Sequence, residues 1–190
     1  ILTDVDARLV DAATWNLGAI PVNEASLIGK TCICGFDNAF KHDLVALVMA
    51  FPAADGSYDV LCRFWTPLGQ LDGRRPAERE LFRQWLDANW LIGVPGPIID
   101  PEWIAREFAL IKARFKVQDL RYDRTYIDSL KLAMSKVGVI LPITEFGQGY
   151  LSMGPALRQL GDLLRAGKVR HGGHPVLTYC MGNAVVVSDP

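Results

Sequence analysis

The sequence has few cysteines, no long apolar run and no surplus of charge of either sign. Four cysteines in 190 residues do not make a disulfide framework. Cys32 and Cys34 lie two apart on an apolar stretch and so share a face, while Cys62 and Cys180 stand alone among apolar residues. Free buried thiols in a reducing compartment are expected. No C-x2-C pair is present, which excludes the usual zinc sites. No apolar stretch approaches the ~20 residues that span a bilayer, so no membrane is expected as a partner. The N-terminal ILTDVDARLV is acidic and lacks the basic head and cleavage site of a signal peptide. A net charge of −1 argues against a generally basic nucleic-acid binder. It leaves room for an enzyme that holds nucleic acid through metal ions and a local patch.

Half of the residues are hydrophobic and 22% are charged, enough to bury a core. The chain opens on Ile1 rather than Met, as expected of a piece of a longer protein. Residues 1–29 read as a lead-in segment or linker with a short helix near Trp15, and residues 30–190 as one domain. Three short apolar runs follow one another: Lys30–Asp37, Asp43–Phe51 and Tyr58–Trp65. Pro52 and the Asp55-Gly56 turn separate the second from the third, which predicts an antiparallel meander. The period then becomes helical. Helices are predicted over Pro76–Trp90, from Pro101 to about Phe115 with Asp100 as N-cap, and over Tyr126–Val137, Ser152–Ala166 and Pro175–Asn183. Strands are predicted at Val117–Tyr122 and Val139–Ile143. Three strands followed by alternating helices and strands give an α/β fold: a mixed sheet with helices packed on both faces.

Two predicted strands end in an aspartate, Asp37 after Phe36 and Asp123 after Tyr122. Functional groups in α/β sheets cluster where strands end. If the two strands are neighbours, the carboxylates converge into a pair of hard oxygen donors suited to Mg²⁺ or Mn²⁺. Aspartates at such positions also cap turns, and spacing alone does not separate the two roles. Asp43, across the turn from Asp37, is a further candidate ligand or merely opens its strand. Lys41 and His42 in that turn, with Arg170 and His171 in a glycine-rich loop, are candidate phosphate-gripping residues. Gln148 and Gly149 are read as shaping a loop that faces DNA. Gly29-Lys30-Thr31 mimics the end of a phosphate-binding loop, but Glu24 stands where its first glycine belongs, and a strand follows instead of a helix.

Three segments, taken in order, resemble the nuclease domain of phage terminase large subunits. GFDNAFKHDLVALVMAFP is similar to that family's first strand, turn and second strand. YDRTYIDSLKLAMSKVG is similar to its Tyr-Asp followed by a helix. The stretch from Glu145 to Pro190, with Gln148-Gly149 and Arg170-His171-Gly172-Gly173, is similar to its C-terminal part. The resemblance implies a ribonuclease H-like fold with Asp37 and Asp123 as metal-binding acids. It further implies two divalent cations, Mg²⁺ or Mn²⁺, and two-metal hydrolysis of concatemeric double-stranded viral DNA during genome packaging. Partners implied with it are double-stranded DNA, an ATPase domain in the same full-length chain, the terminase small subunit and the portal protein, in the cytoplasm of a bacterial host. The family's third acid is expected beyond Pro190, since Asp189 matches an Asp-Pro that precedes it. The turn after Asp37 departs from the family in having Asn38-Ala39 where Ser or Thr is usual. Other readings are a non-catalytic DNA-binding or motor-docking module, and a ribonuclease H-like resolvase or integrase.

Overall fold

Alternation of side chains along the first strand explains much of the architecture. In β1 (Thr31–Asp37) every second residue is buried, as in a strand with one face on a core. Cys32, Cys34 and Phe36 point into that core and Thr31, Ile33, Gly35 and Asp37 point away. The computed structural model describes residues 8–38, 44–124 and 127–186. After β1 come β2 (Val45–Pro52) and β3 (Tyr58–Pro67), each antiparallel to its predecessor. The predicted meander is therefore present.

The rest of the chain extends the sheet on both sides. α2 (Pro76–Asp87) leads to β4 (Ile92–Val94), which pairs parallel with the end of β3. α3 (Pro101–Arg114) crosses back and delivers β5 (Lys116–Tyr122) parallel to β1. Its N-cap is Asp100, as predicted, accepting the Glu102 N–H at 2.9 Å. α4 (Ile127–Lys136) then delivers β6 (Ile143–Glu145), parallel to β5. Finally α5 (Tyr150–Arg165), β7 (Val169–Arg170) and α6 (Pro175–Asn183) return to the other edge, where β7 pairs with the start of β3. The sheet order is β4-β3-β2-β1-β5-β6, with β7 beside β3.

Two cores lie on opposite faces of this sheet. One joins β1, β2 and β5 to α3 and α4, with Phe36, Leu47, Phe108 and Leu130 in its interior. The other covers β3 and part of β2 with α2, α5, α6 and the short α1 (Ala12–Asn16), around Phe64, Phe82, Trp85 and Trp15. Trp65 and Trp85 are core residues, whereas Trp90 is 43% exposed. None of the four cysteines is in a disulfide, and burial pushes the Cys62 thiol up to about 12. Among the described residues no helix is long and apolar enough to cross a membrane.

Three details differ from the sequence reading. The strand predicted at Val139–Ile143 begins instead at Ile143. Pro142 has no N–H to give a ladder, although its carbonyl already accepts the Leu120 N–H at 2.9 Å. Strands β4 and β7, three and two residues long, are too short to show a period. The stretch read as a lead-in is packed onto the domain from Asp11 to Leu27. Trp15 and Leu27 are buried, and the Glu24 carboxylate takes both Arg63 and Arg114 at 2.7 Å.

Candidate metal centre at the ends of β1 and β5

The parallel register of β1 and β5 ends with Phe36 opposite Tyr122. The next residues are Asp37, the last of β1, and Asp123, the first beyond β5. Neighbouring strands lie ~4.8 Å apart. The two carboxylates therefore leave the same edge of the sheet side by side. Asp37 is exposed, Asp123 is half-buried, and Asp37 stands opposite the small Ala46 of β2. Asp123 also lines a cleft of about 440 Å³ with Arg124, Glu145, Phe146, Gly147, Gln148 and Gly149. Gln148 and Gly149 are thus placed beside the acidic edge, just ahead of α5.

The donor set is hard. It consists of carboxylates, and the buried thiols of Cys32 and Cys34 face the core on the other side of β1. Such donors suit Mg²⁺ or Mn²⁺ rather than zinc. Among the described residues no group of three or more His, Cys, Asp or Glu side chains is arranged to hold a metal ion. Asp37 and Asp123 bring two carboxylates to this end of the sheet. Glu145 closes β6 opposite Tyr122 and was missed by sequence reading. The rule that found Asp37 and Asp123, an acid at a strand end, applies to it once β6 is placed correctly.

Below the aspartates on the same face lie Asp119 and Arg121, opposite Ile33 and Gly35. Burial works against ionisation of Asp119, but hydrogen bonds from Arg121 and Thr144 outweigh it and hold the carboxyl below its ordinary value.

The other candidates lie elsewhere. Lys41, His42 and Asp43 fall outside the described residues. Arg170 sits on β7 beside Asp59, at the start of β3. Since β1 and β3 both run opposite to β2, this is the end of the sheet away from Asp37. Its Nε donates to Asp59 at 2.6 Å and its Nη1 to Asp55 at 3.4 Å, so two carboxylates already take up its charge. His171 corrects its reading as a phosphate-gripping residue: it is 3% exposed and stacks on Trp15 with ring centroids 3.7 Å apart. Its Nδ1 accepts the Gly173 N–H, which leaves Nε2–H to donate to the Trp15 carbonyl at 2.9 Å. A Cβ on Gly18 would lie 2.5 Å from this ring and 2.2 Å from the Val169 carbonyl, so only glycine permits the approach.

His174 is packed between Phe64 and Trp90 and caps α6 by accepting the Leu177 N–H. Burial and the Arg63 charge push its pKa down to about 4, and burial also lowers that of His171. Both must therefore charge on unfolding in mild acid. The unfolded chain binds more protons between about 4 and 6.5, so stability rises with pH there. Melting temperature should be level above pH 6.5 and fall as the pH approaches 4. Replacing His174 with Gln should flatten that fall in thermal melts across the range.

An antiparallel meander continued by parallel strands, with helices on both faces and acids at the ends of two adjacent strands, defines a ribonuclease H-like nuclease fold. Comparison with known proteins narrows this. Residues 2–190 match the family described as terminase large subunit, endonuclease domain. The chain is 38% identical over 181 residues to the terminase large subunit of Enterobacteria phage HK97, covering 95% of this chain and 35% of that protein. It is 28% identical over 172 residues to protein YmfN of Escherichia coli K12, covering 85% of this chain and 37% of that one. The crystal structure of the HK97 large terminase superimposes with a TM-score of 0.87 at 36% identity, over 96% of this chain and 38% of the solved one. The chain belongs to the terminase large-subunit endonuclease-domain family. It spans little more than a third of the length of these relatives.

Proposed function

We propose that this domain is a metal-dependent endonuclease that cuts concatemeric double-stranded viral DNA during genome packaging. The observation that carries the reading is the side-by-side exit of Asp37 and Asp123 from parallel neighbours β1 and β5. Asp37 and Asp123 would hold two divalent cations, Mg²⁺ or Mn²⁺, in company with ligands outside the described residues. Ions so held supply an activated water and neutralise charge on the phosphodiester. The fixed ends of the two strands keep the carboxylates in place without a change of fold, and no covalent link between enzyme and DNA is required. Membership of the terminase family supports the packaging role. With it come an ATPase domain in the same full-length chain, the small subunit and the portal as partners, in the host cytoplasm.

The test is cleavage of linear and supercoiled plasmid by the intact protein with Mg²⁺ or Mn²⁺, before and after chelation. Cutting should stop with EDTA and return with excess metal. Cutting that ignores the chelator overturns the reading. DNA binding with no metal response assigns a non-catalytic module, and cutting confined to four-way junctions assigns a resolvase.

A further inference from the structure

The outer edge of β3 is only partly filled. β7 lies beside Tyr58 and Asp59 at one end and β4 beside Trp65–Pro67 at the other, both parallel to β3. Val60–Phe64, between them, have no strand on that side among the described residues. The Tyr58 N–H donates outward to the Lys168 carbonyl at 2.8 Å. Peptide groups alternate in direction along a strand, so those of Val60, Cys62 and Phe64 also face out. The Cys62 carbonyl is met by the side chain of Arg63, the next residue, whose Nη1 donates at 2.9 Å. A side chain thus stands where a neighbouring strand would supply a backbone N–H.

This gap opens into a cleft of about 430 Å³, within the range of about 300–1,000 Å³ usual for ligand sites. Besides β3, it is lined by Pro21, Val22 and Glu24 of the stretch before β1 and by Asn89, Trp90 and His174. Asn89 ends α2 with a φ of 60°. Its N–H donates to the Leu86 carbonyl at 3.1 Å and the Trp90 N–H to that of Trp85 at 2.8 Å. Glycine is usual at such a helix end; asparagine makes the same turn and adds an amide to the cleft. The turn leaves Trp90 43% exposed, braced at a steep angle by His174, which in turn meets Phe64. A large, rigid and exposed tryptophan is the kind of side chain that anchors interfaces.

Arg63 gives the cleft its sign. Glu24 is shared between Arg63 and Arg114, each at 2.7 Å, so one carboxylate faces two guanidinium groups. Burial first and the Arg63 charge second push His174 down to about 4, so that charge is felt across the cleft.

We infer that an extended, acidic segment of a partner protein binds here as an added strand between β7 and β4. Its backbone pairs with Val60–Phe64, a carboxylate meets Arg63 and an apolar side chain rests on Trp90. Strand addition takes its affinity from main-chain hydrogen bonds and its specificity from the side chains beside them. The site lies beyond β3, with β2 and β1 between it and β5, and is separate from the metal chemistry of Asp37 and Asp123.

Linear peptides are selected from a random library on the intact protein, and the recovered sequences are measured by fluorescence anisotropy. Peptides carrying Asp or Glu next to an apolar residue are the expected result. Arg63→Gln and Trp90→Ala should each weaken the best of them at least ~10-fold, as loss of an interface anchor does. N-methylating alternate peptide bonds of that ligand should weaken its binding to the unaltered protein at least ~10-fold, because an added strand loses its N–H donors. Methylating the intervening bonds should do far less, and neither arm needs a variant to fold. A selection that recovers no peptide dependent on Arg63 and Trp90 overturns the inference, as does binding indifferent to every N-methyl group. Absence of any bound peptide, with a single-stranded oligonucleotide binding in a way that Trp90→Ala abolishes, overturns it too and assigns the cleft to nucleic acid.

Discussion

Asp37→Asn in the intact protein should lower metal-dependent DNA cleavage by at least about 100-fold, since loss even of groups that only orient metal ligands costs 10–100-fold. The substitution keeps shape and removes the charge that a divalent ion requires. Asp37 is exposed at a strand end and outside both cores, so the melting temperature should stay within a few degrees of the parent. Asp123→Asn should behave alike, because the register makes the two residues equivalent exits from neighbouring strands. The double variant should be no worse than the poorer single one, as groups acting as a unit are strongly non-additive. Gel assays at matched metal concentration, with melting curves beside them, separate lost chemistry from lost fold. A variant that cuts at the parental rate would remove Asp37 from the account.

Phe108→Ala should have the largest effect on stability. Phe108 is 1% exposed in the middle of α3 and meets Phe36 edge to face, ring centroids 5.1 Å apart. Phe36 is the residue before Asp37, so this contact holds α3 under the strand end that bears the acid. Truncating a buried phenylalanine costs about 3–5 kcal/mol, against a total of roughly 5–15 kcal/mol for a domain. Urea denaturation of Phe108→Ala should show a midpoint lowered to match with little change in slope. The same replacement at Leu110, two residues on and 60% exposed on the opposite side of the helix, should move the midpoint by less than about 0.5 kcal/mol equivalent.

The sheet was legible where strands are long and sided. β1, β2 and β3 carry eight or so residues each with a period of two, and each emerged within two or three residues of its observed bounds. The helices followed from their caps, with Asp100 and Pro101 placing the start of α3. The acidic pair was half legible. Each aspartate is visible at a strand end, but their adjacency depends on the parallel pairing of β1 with β5, set by α3 crossing between them. Glu145 was lost with the boundary of β6, shifted by Pro142. His171 misled for a different reason. Glycines around it read as a surface loop, whereas Trp15 and Gly18, more than 150 residues earlier, close over the ring. Arg170 looked free because the strand pairing that brings it to Asp59 is two residues long. Contacts that link distant stretches through short elements leave no local pattern to read.

Whether Asp37 and Asp123 hold the ions that act on DNA is tested most directly by a crystal structure of the intact protein soaked in Mn²⁺, with the ions located by anomalous scattering. Manganese peaks within coordinating distance of both carboxylates are the predicted result. Manganese bound elsewhere, with no peak at Asp37 or Asp123 at a concentration that supports cleavage, would contradict it.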